Sequence, residues 1–101
     1  MLDTRIDGEK LTIFIGPECL ALNSTALREN LFHTLTTSYK NICLDFSQTR
    51  FIDAAGVGVI AATVYEARRK SQSISMSGAS GSVLQMLMST GIDRLLTNKA
   101  I

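Results

Sequence analysis

The chain has 101 residues, 46% of them hydrophobic and 19% charged, with a single Pro and a formal net charge of +1. That length holds one domain with its own core and is too short for two, and the composition is that of a soluble globular protein, not a disordered one. Near-neutral charge, with no basic run interleaved with aromatics, argues against nucleic acid as a partner. No stretch offers the ~20 apolar residues that cross a bilayer, so direct membrane insertion is not expected.

Met1-Leu2-Asp3-Thr4-Arg5 lacks the cationic and apolar sections of a signal peptide, which makes the cytoplasm the expected location. Asp7-Gly8 is a turn signal between a first strand around residues 2–6 and a second over residues 10–15, rich in β-branched and aromatic side chains. Gly16-Pro17 breaks the second strand, and a short extended segment follows near residues 19–22. Asn23, Ser24 and Thr25 are all able to cap a helix, and Leu27, Leu31 and Leu35 recur at helical spacing, so residues 25–38 read as the first helix. His33 falls off that leucine stripe and reads as a solvated surface residue. Residues 41–46 form a short apolar strand, Ser47 to Arg50 a polar connection, and Phe51-Ile52 a brief extended pair.

The second helix begins near Ala55 or Gly56 and runs to about Lys70, with Val57, Ile60, Ala61, Val64 and Ala67 on one inward face. Glu66 and Lys70 make an i, i+4 pair on the other side. Residues 73–77 alternate Ile74 and Met76 with serines, a half-buried strand ended by Gly78. Ser80 or Ser82 caps a third helix through about Thr90, with Val83, Leu84 and Leu87 inward and Gly91 fitting the left-handed residue after the helix. A final turn covers residues 93–96. Strand, strand, helix, strand, helix, strand, helix predicts a single α/β domain, residues 1–101, with some parallel pairs and right-handed crossovers. Cys19 and Cys43 lie far apart among apolar residues and read as small buried hydrophobes; with one His they form no metal-ligand pattern.

The chemically suggestive segment is Phe51-Ile52-Asp53-Ala54-Ala55-Gly56-Val57-Gly58-Val59-Ile60, a loop between a strand and a helix, where α/β domains commonly present functional surface. It has no Ser or Thr between Asp53 and Gly58, no Gly-x-Ser-x-Gly elbow, no phosphate-binding Gly-x-x-x-x-Gly-Lys, and only a fragment of a dinucleotide fingerprint. Asp53 is its lone carboxylate, whereas acid/base work wants a second titratable group nearby. Neither catalysis nor a cofactor is expected. Asp53 reads as a helix cap, a role compatible with recognition. Val59, Ala62 and Thr63, beside Glu66, are read as the outer face of the second helix; small, weakly charged groups there suit a flat contact with another protein.

The run Leu44-Asp45-Phe46-Ser47-x-x-x-Phe51-Ile52-Asp53-x-Ala55-Gly56-Val57-Gly58-Val59, followed by Val83-Leu84-Gln85-Met86-Leu87-x-x-x-Gly91-Ile92-Asp93, resembles the STAS family, typified by bacterial anti-sigma factor antagonists. The resemblance spans nearly the whole chain. It implies a mixed sheet of about four strands with three to four helices mainly on one face. It also implies partner switching: the unmodified domain binds a serine kinase (an anti-sigma factor) with a histidine-kinase-like ATPase fold. Phosphorylation of the Ser after the loop Asp breaks that complex, and a PP2C-type phosphatase restores it. Ala54 stands where that Ser would be. Two explanations fit: a natural member regulated without phosphorylation, or a Ser→Ala variant held in its binding state, which the intact surroundings favour. The implied partner surface comprises Asp53, Ala54, Ala55, Gly56, Val57, Gly58, Val59, Ala62, Thr63 and Glu66. STAS domains also serve as accessory subunits of membrane transporters, ABC-type lipid transporters among them, and such a subunit needs no phosphorylatable residue.

Overall fold

Two rows of branched and sulfur-bearing side chains organise the sheet. The computed structural model describes residues 2–35 and 38–96. In it β1 (Asp3–Asp7) and β2 (Lys10–Phe14) form an antiparallel hairpin, and β2 continues in parallel register to β4 (Asn41–Asp45) and then to β6 (Ser73–Ser77). The order is β1-β2-β4-β6. Register aligns Leu11, Ile42 and Ile74 in one row and Ile13, Leu44 and Met76 in the next, all buried. Side chains alternate across a strand, so these rows share one face. Thr12, Cys43 and Ser75 are aligned on the other face, where the Cys43 Sγ lies 3.4 Å from the Ser77 Oγ. A second, two-stranded parallel unit joins β3 (Glu18–Cys19) to β5 (Phe51–Ile52).

Three helices close over the apolar rows: α1 (Ser24–Thr34), α2 (Ala54–Arg69) and α3 (Gly81–Ser89), with single 3-10 turns at Ala21–Asn23 and Ile92–Leu95. One core cluster takes Leu27, Leu31 and Leu35 from the first helical segment, Ile60, Val64 and Ala67 from α2, and Val83 and Leu87 from α3. The mixed four-stranded sheet with three helices is the α/β architecture that the alternating pattern predicts.

Boundaries differ from the expectation in instructive ways. The first helix ends at Thr34, not at residue 38: Leu35 leaves the helical region with ψ 73, while its N–H still donates to the Leu31 carbonyl. Residues 36–37, within the expected helix, lie outside the described residues. None of the three candidate caps acts through its side chain. Asn23 holds the N-cap position, but its amide accepts from the Leu20 N–H at 2.9 Å and donates to the Glu18 carbonyl at 2.8 Å, bracing the 3-10 turn. Ser80 likewise occupies the N-cap of α3 with no side-chain capping bond. Gly91 adopts φ 73, the left-handed conformation anticipated for it. The last turn spans Ile92–Leu95, with Ile92 and Leu96 buried against the core.

Candidate functional site

α2 starts at Ala54 because Asp53 caps it. The Asp53 backbone is extended, its Oδ1 accepts from the Gly56 N–H at 2.9 Å, and its carbonyl accepts from the Val57 N–H at 2.9 Å. Its second oxygen has a partner that the sequence does not reveal: Oδ2 accepts from the Ala21 N–H at 2.9 Å, 32 residues away. One carboxylate thus pins the 3-10 turn at Ala21–Asn23 to the start of α2. Those N–H donors, Ala21 first and Gly56 next, hold the carboxyl below its usual range. The Asp53 N–H donates in turn to the Cys19 carbonyl at 3.2 Å.

Behind this turn the packing is tight. A side-chain carbon on Gly56 would overlap the Cys19 carbonyl oxygen, so only glycine lets the helix approach β3 this closely. The Cys19 thiol is fully buried; burial pushes its pKa up to about 11, with the Asp53 charge adding to the effect. It is therefore a protonated, unreactive thiol at neutral pH.

The exposed part of the site is small and flat. Ala54, Ala55 and Gly58 face solvent and Asp53 is half-buried, whereas Gly56 and Val57 are buried beneath them. The turn that Asp53 holds alongside carries Leu22, which is 96% exposed. A groove of 410 Å³ runs from Ala54 along α2, past Gly58, Ala61 and Tyr65, and is closed on its far side by Gly91 and Arg94. Among the described residues, no group of three or more His, Cys, Asp or Glu side chains could hold a metal ion, and no helix is long and apolar enough to cross a membrane.

The expected outer face of α2 is corrected at two positions. Val59 is 8% exposed and Thr63 is fully buried. α1 packs across α2 on this side; Val59 borders the crevice beside Arg28 and Phe32, and Thr63 satisfies its hydroxyl by donating to the Val59 carbonyl at 2.9 Å. Ala62 is half-buried. Glu66 is engaged by Arg69 in a two-point contact at 2.7 and 3.0 Å, with Lys70 at 3.9 Å, and the Lys70 ammonium also donates to the Leu35 carbonyl at the end of α1. The Arg69 hydrogen bond is the first cause of the lowered Glu66 pKa. Facing outward instead are Ala55, Gly58, Tyr65, Arg68 and Arg69. Tyr65 is not among the residues expected on this face, although Ala54, Gly58, Ala61, Tyr65 and Arg68 follow one another at spacings of four and three along one helical row.

A family model described as "Mlab, STAS domain" matches residues 2–97. The chain belongs to the STAS family. Among solved structures it is similar to a putative anti-sigma factor antagonist from Thermotoga maritima, with TM-score 0.83 and 20% identity over 94% of this chain and 82% of that one. The phosphorylated form of the Bacillus cell fate determinant SpoIIAA is similar at TM-score 0.68 and 14% identity, covering 96% and 89%. A sulfate transporter family protein from Wolinella succinogenes gives TM-score 0.75 and 16% identity, covering 91% and 75%. At these identities the likeness is one of fold.

Proposed function

We propose that this protein is a non-catalytic regulatory module that binds a switch protein of the anti-sigma factor kind through the N-terminal turn of α2. The observation that carries the reading is the turn itself: Ala54, Ala55 and Gly58 are exposed, and the Asp53 carboxylate braces the turn by accepting from the Ala21 and Gly56 N–H groups. A pre-ordered, nearly side-chain-free surface suits docking at little conformational cost. The partner this reading calls for is a serine kinase with a histidine-kinase-like ATPase fold. Ala54 has no hydroxyl to phosphorylate, so a PP2C-type phosphatase would find no phosphate there and binding is constitutive.

A second reading has its own support. The absence of a phosphorylatable side chain at position 54, together with a sulfate transporter family protein among the structural neighbours, favours an accessory subunit of a membrane transporter, including the ABC-type lipid kind. Affinity capture from source-cell lysate with this chain and Ala54→Asp as paired baits separates the two. A kinase-like ATPase held by the first bait and lost from the second supports the switch reading. Transporter subunits held by both baits support the accessory-subunit reading, and specific capture of neither class contradicts both.

A further inference from the structure

The groove beside Ala54 has an apolar floor of small side chains and a rim of one sign. Ala54, Gly58 and Ala61 supply that floor on α2, and the Tyr65 ring, 59% exposed, stands at its edge. Opposite, Arg94 folds over Gly91, its Nε 4.0 Å from where a glycine side-chain carbon would be. Arg94 is exposed and forms no ion pair among the described residues. Arg68, one turn beyond Tyr65 on the same row, reaches only the Leu95 carbonyl among the described residues, at 3.4 Å. Among the described residues no Asp or Glu lines the groove. We infer that it seats an acidic amphipathic helix of the partner protein, with its apolar ridge against Ala54, Gly58, Ala61 and Tyr65 and its carboxylates on Arg94 and Arg68.

The fit follows from shape and charge. Small side chains at these positions let a second helix lie close to α2, and an apolar ridge needs such a floor. Guanidinium groups take carboxylates in two-point contacts, and an exposed aromatic at the edge of a groove is a typical anchor. A second copy of this chain is a poorer occupant, because the same face would bring two unpaired arginines together. The inference rests on the binding-module reading and names the chemistry of the partner at that site. It also accounts for the sensitivity expected at position 54: a negative charge there would stand at the end of a groove that receives carboxylates.

Two synthetic Ala-based helical peptides test it, both with Leu at i and i+4, one with Glu and the other with Lys at the flanking positions. Titrated into 15N-labelled protein, the Glu peptide is expected to shift the amides of Gly58, Ala61, Tyr65 and Gly91 and to bind about five-fold more tightly than the Lys peptide. Arg94→Glu should reverse that preference, and Tyr65→Ala should weaken both peptides about ten-fold, with melting temperatures unchanged because both side chains are exposed. Equal binding of the two peptides, shifts elsewhere, or no shifts at millimolar peptide would overturn the assignment; so would concentration-dependent shifts of the protein alone, which would make a second copy the occupant. Binding to a purified captured partner separates this assignment from the reading beneath it. If Ala54→Asp abolishes that binding and Arg94→Glu leaves it intact, the groove assignment fails and the module reading stands. If neither variant changes it, the module reading itself fails.

Discussion

Asp53 does two structural jobs with two oxygens, and its ionised form serves both best. The N–H groups of Ala21 and Gly56 favour the charged form, so the folded-state pKa is lower than the unfolded one. The sign of the linkage follows: its stabilisation is fully present above the unfolded value, about 3.9, and is lost as pH falls through the folded one. Asp53→Asn should therefore lower the melting temperature at neutral pH, since one amide nitrogen must then face an N–H donor. The gap between variant and parent should close as the pH is taken below about 4, in melts followed by circular dichroism. A gap that persists undiminished in acid would mean that the carboxylate charge is not what holds the turn. Gly56 is the other decisive residue. Gly56→Ala drives a methyl into the Cys19 carbonyl and should cost about 2–4 kcal/mol in denaturant unfolding; a near-neutral result would show that β3 can move away freely.

Among the elements, α2 carries most of the organisation, and it is there that the sequence was both readable and misleading. A 3.6-residue period identifies Val57, Ile60, Ala61, Val64 and Ala67 as the inward stripe; four of them are buried, whereas Ala61 is half-buried and lines the groove instead. The β-branched strands and the serine alternation in β6 were equally legible, because a half-buried strand has to alternate. Val59 and Thr63 were not. A helix covered on two sides has two inward stripes, and only the stronger one dominates a periodicity; contact with α1 is a tertiary fact that no local spacing contains. Val59→Arg, which an exposed outer face would tolerate, should instead cost about 2 kcal/mol or more of stability. An unchanged denaturation midpoint would mean that α1 does not cover this face in solution. The Asp53–Ala21 bond was hidden for the same reason, since the donor lies 32 residues away.

On the scale of the whole molecule, the fold divides labour between its faces and ends. Helices cover one side of the sheet, and the other side carries the row Thr12, Cys43 and Ser75, of which the first two are buried and Ser75 is half-buried. The N-terminal end of α2 gathers the braced turn, the exposed Leu22 and the small-residue surface at Ala54. The opposite end of that helix is tied to the end of α1 by Lys70 and Leu35. This polarity makes a simple prediction: charge added at the N-terminal turn of α2 should disrupt docking, and charge added near the end of α1 should not. The most direct test of the account is isothermal titration of a captured partner against three proteins: the parent, Ala54→Asp, and His33→Asp near the end of α1. The account predicts a loss of at least about ten-fold in affinity for Ala54→Asp alone, with all three melting cooperatively. Equal affinity of all three would contradict the claim that the N-terminal turn of α2 is the docking surface.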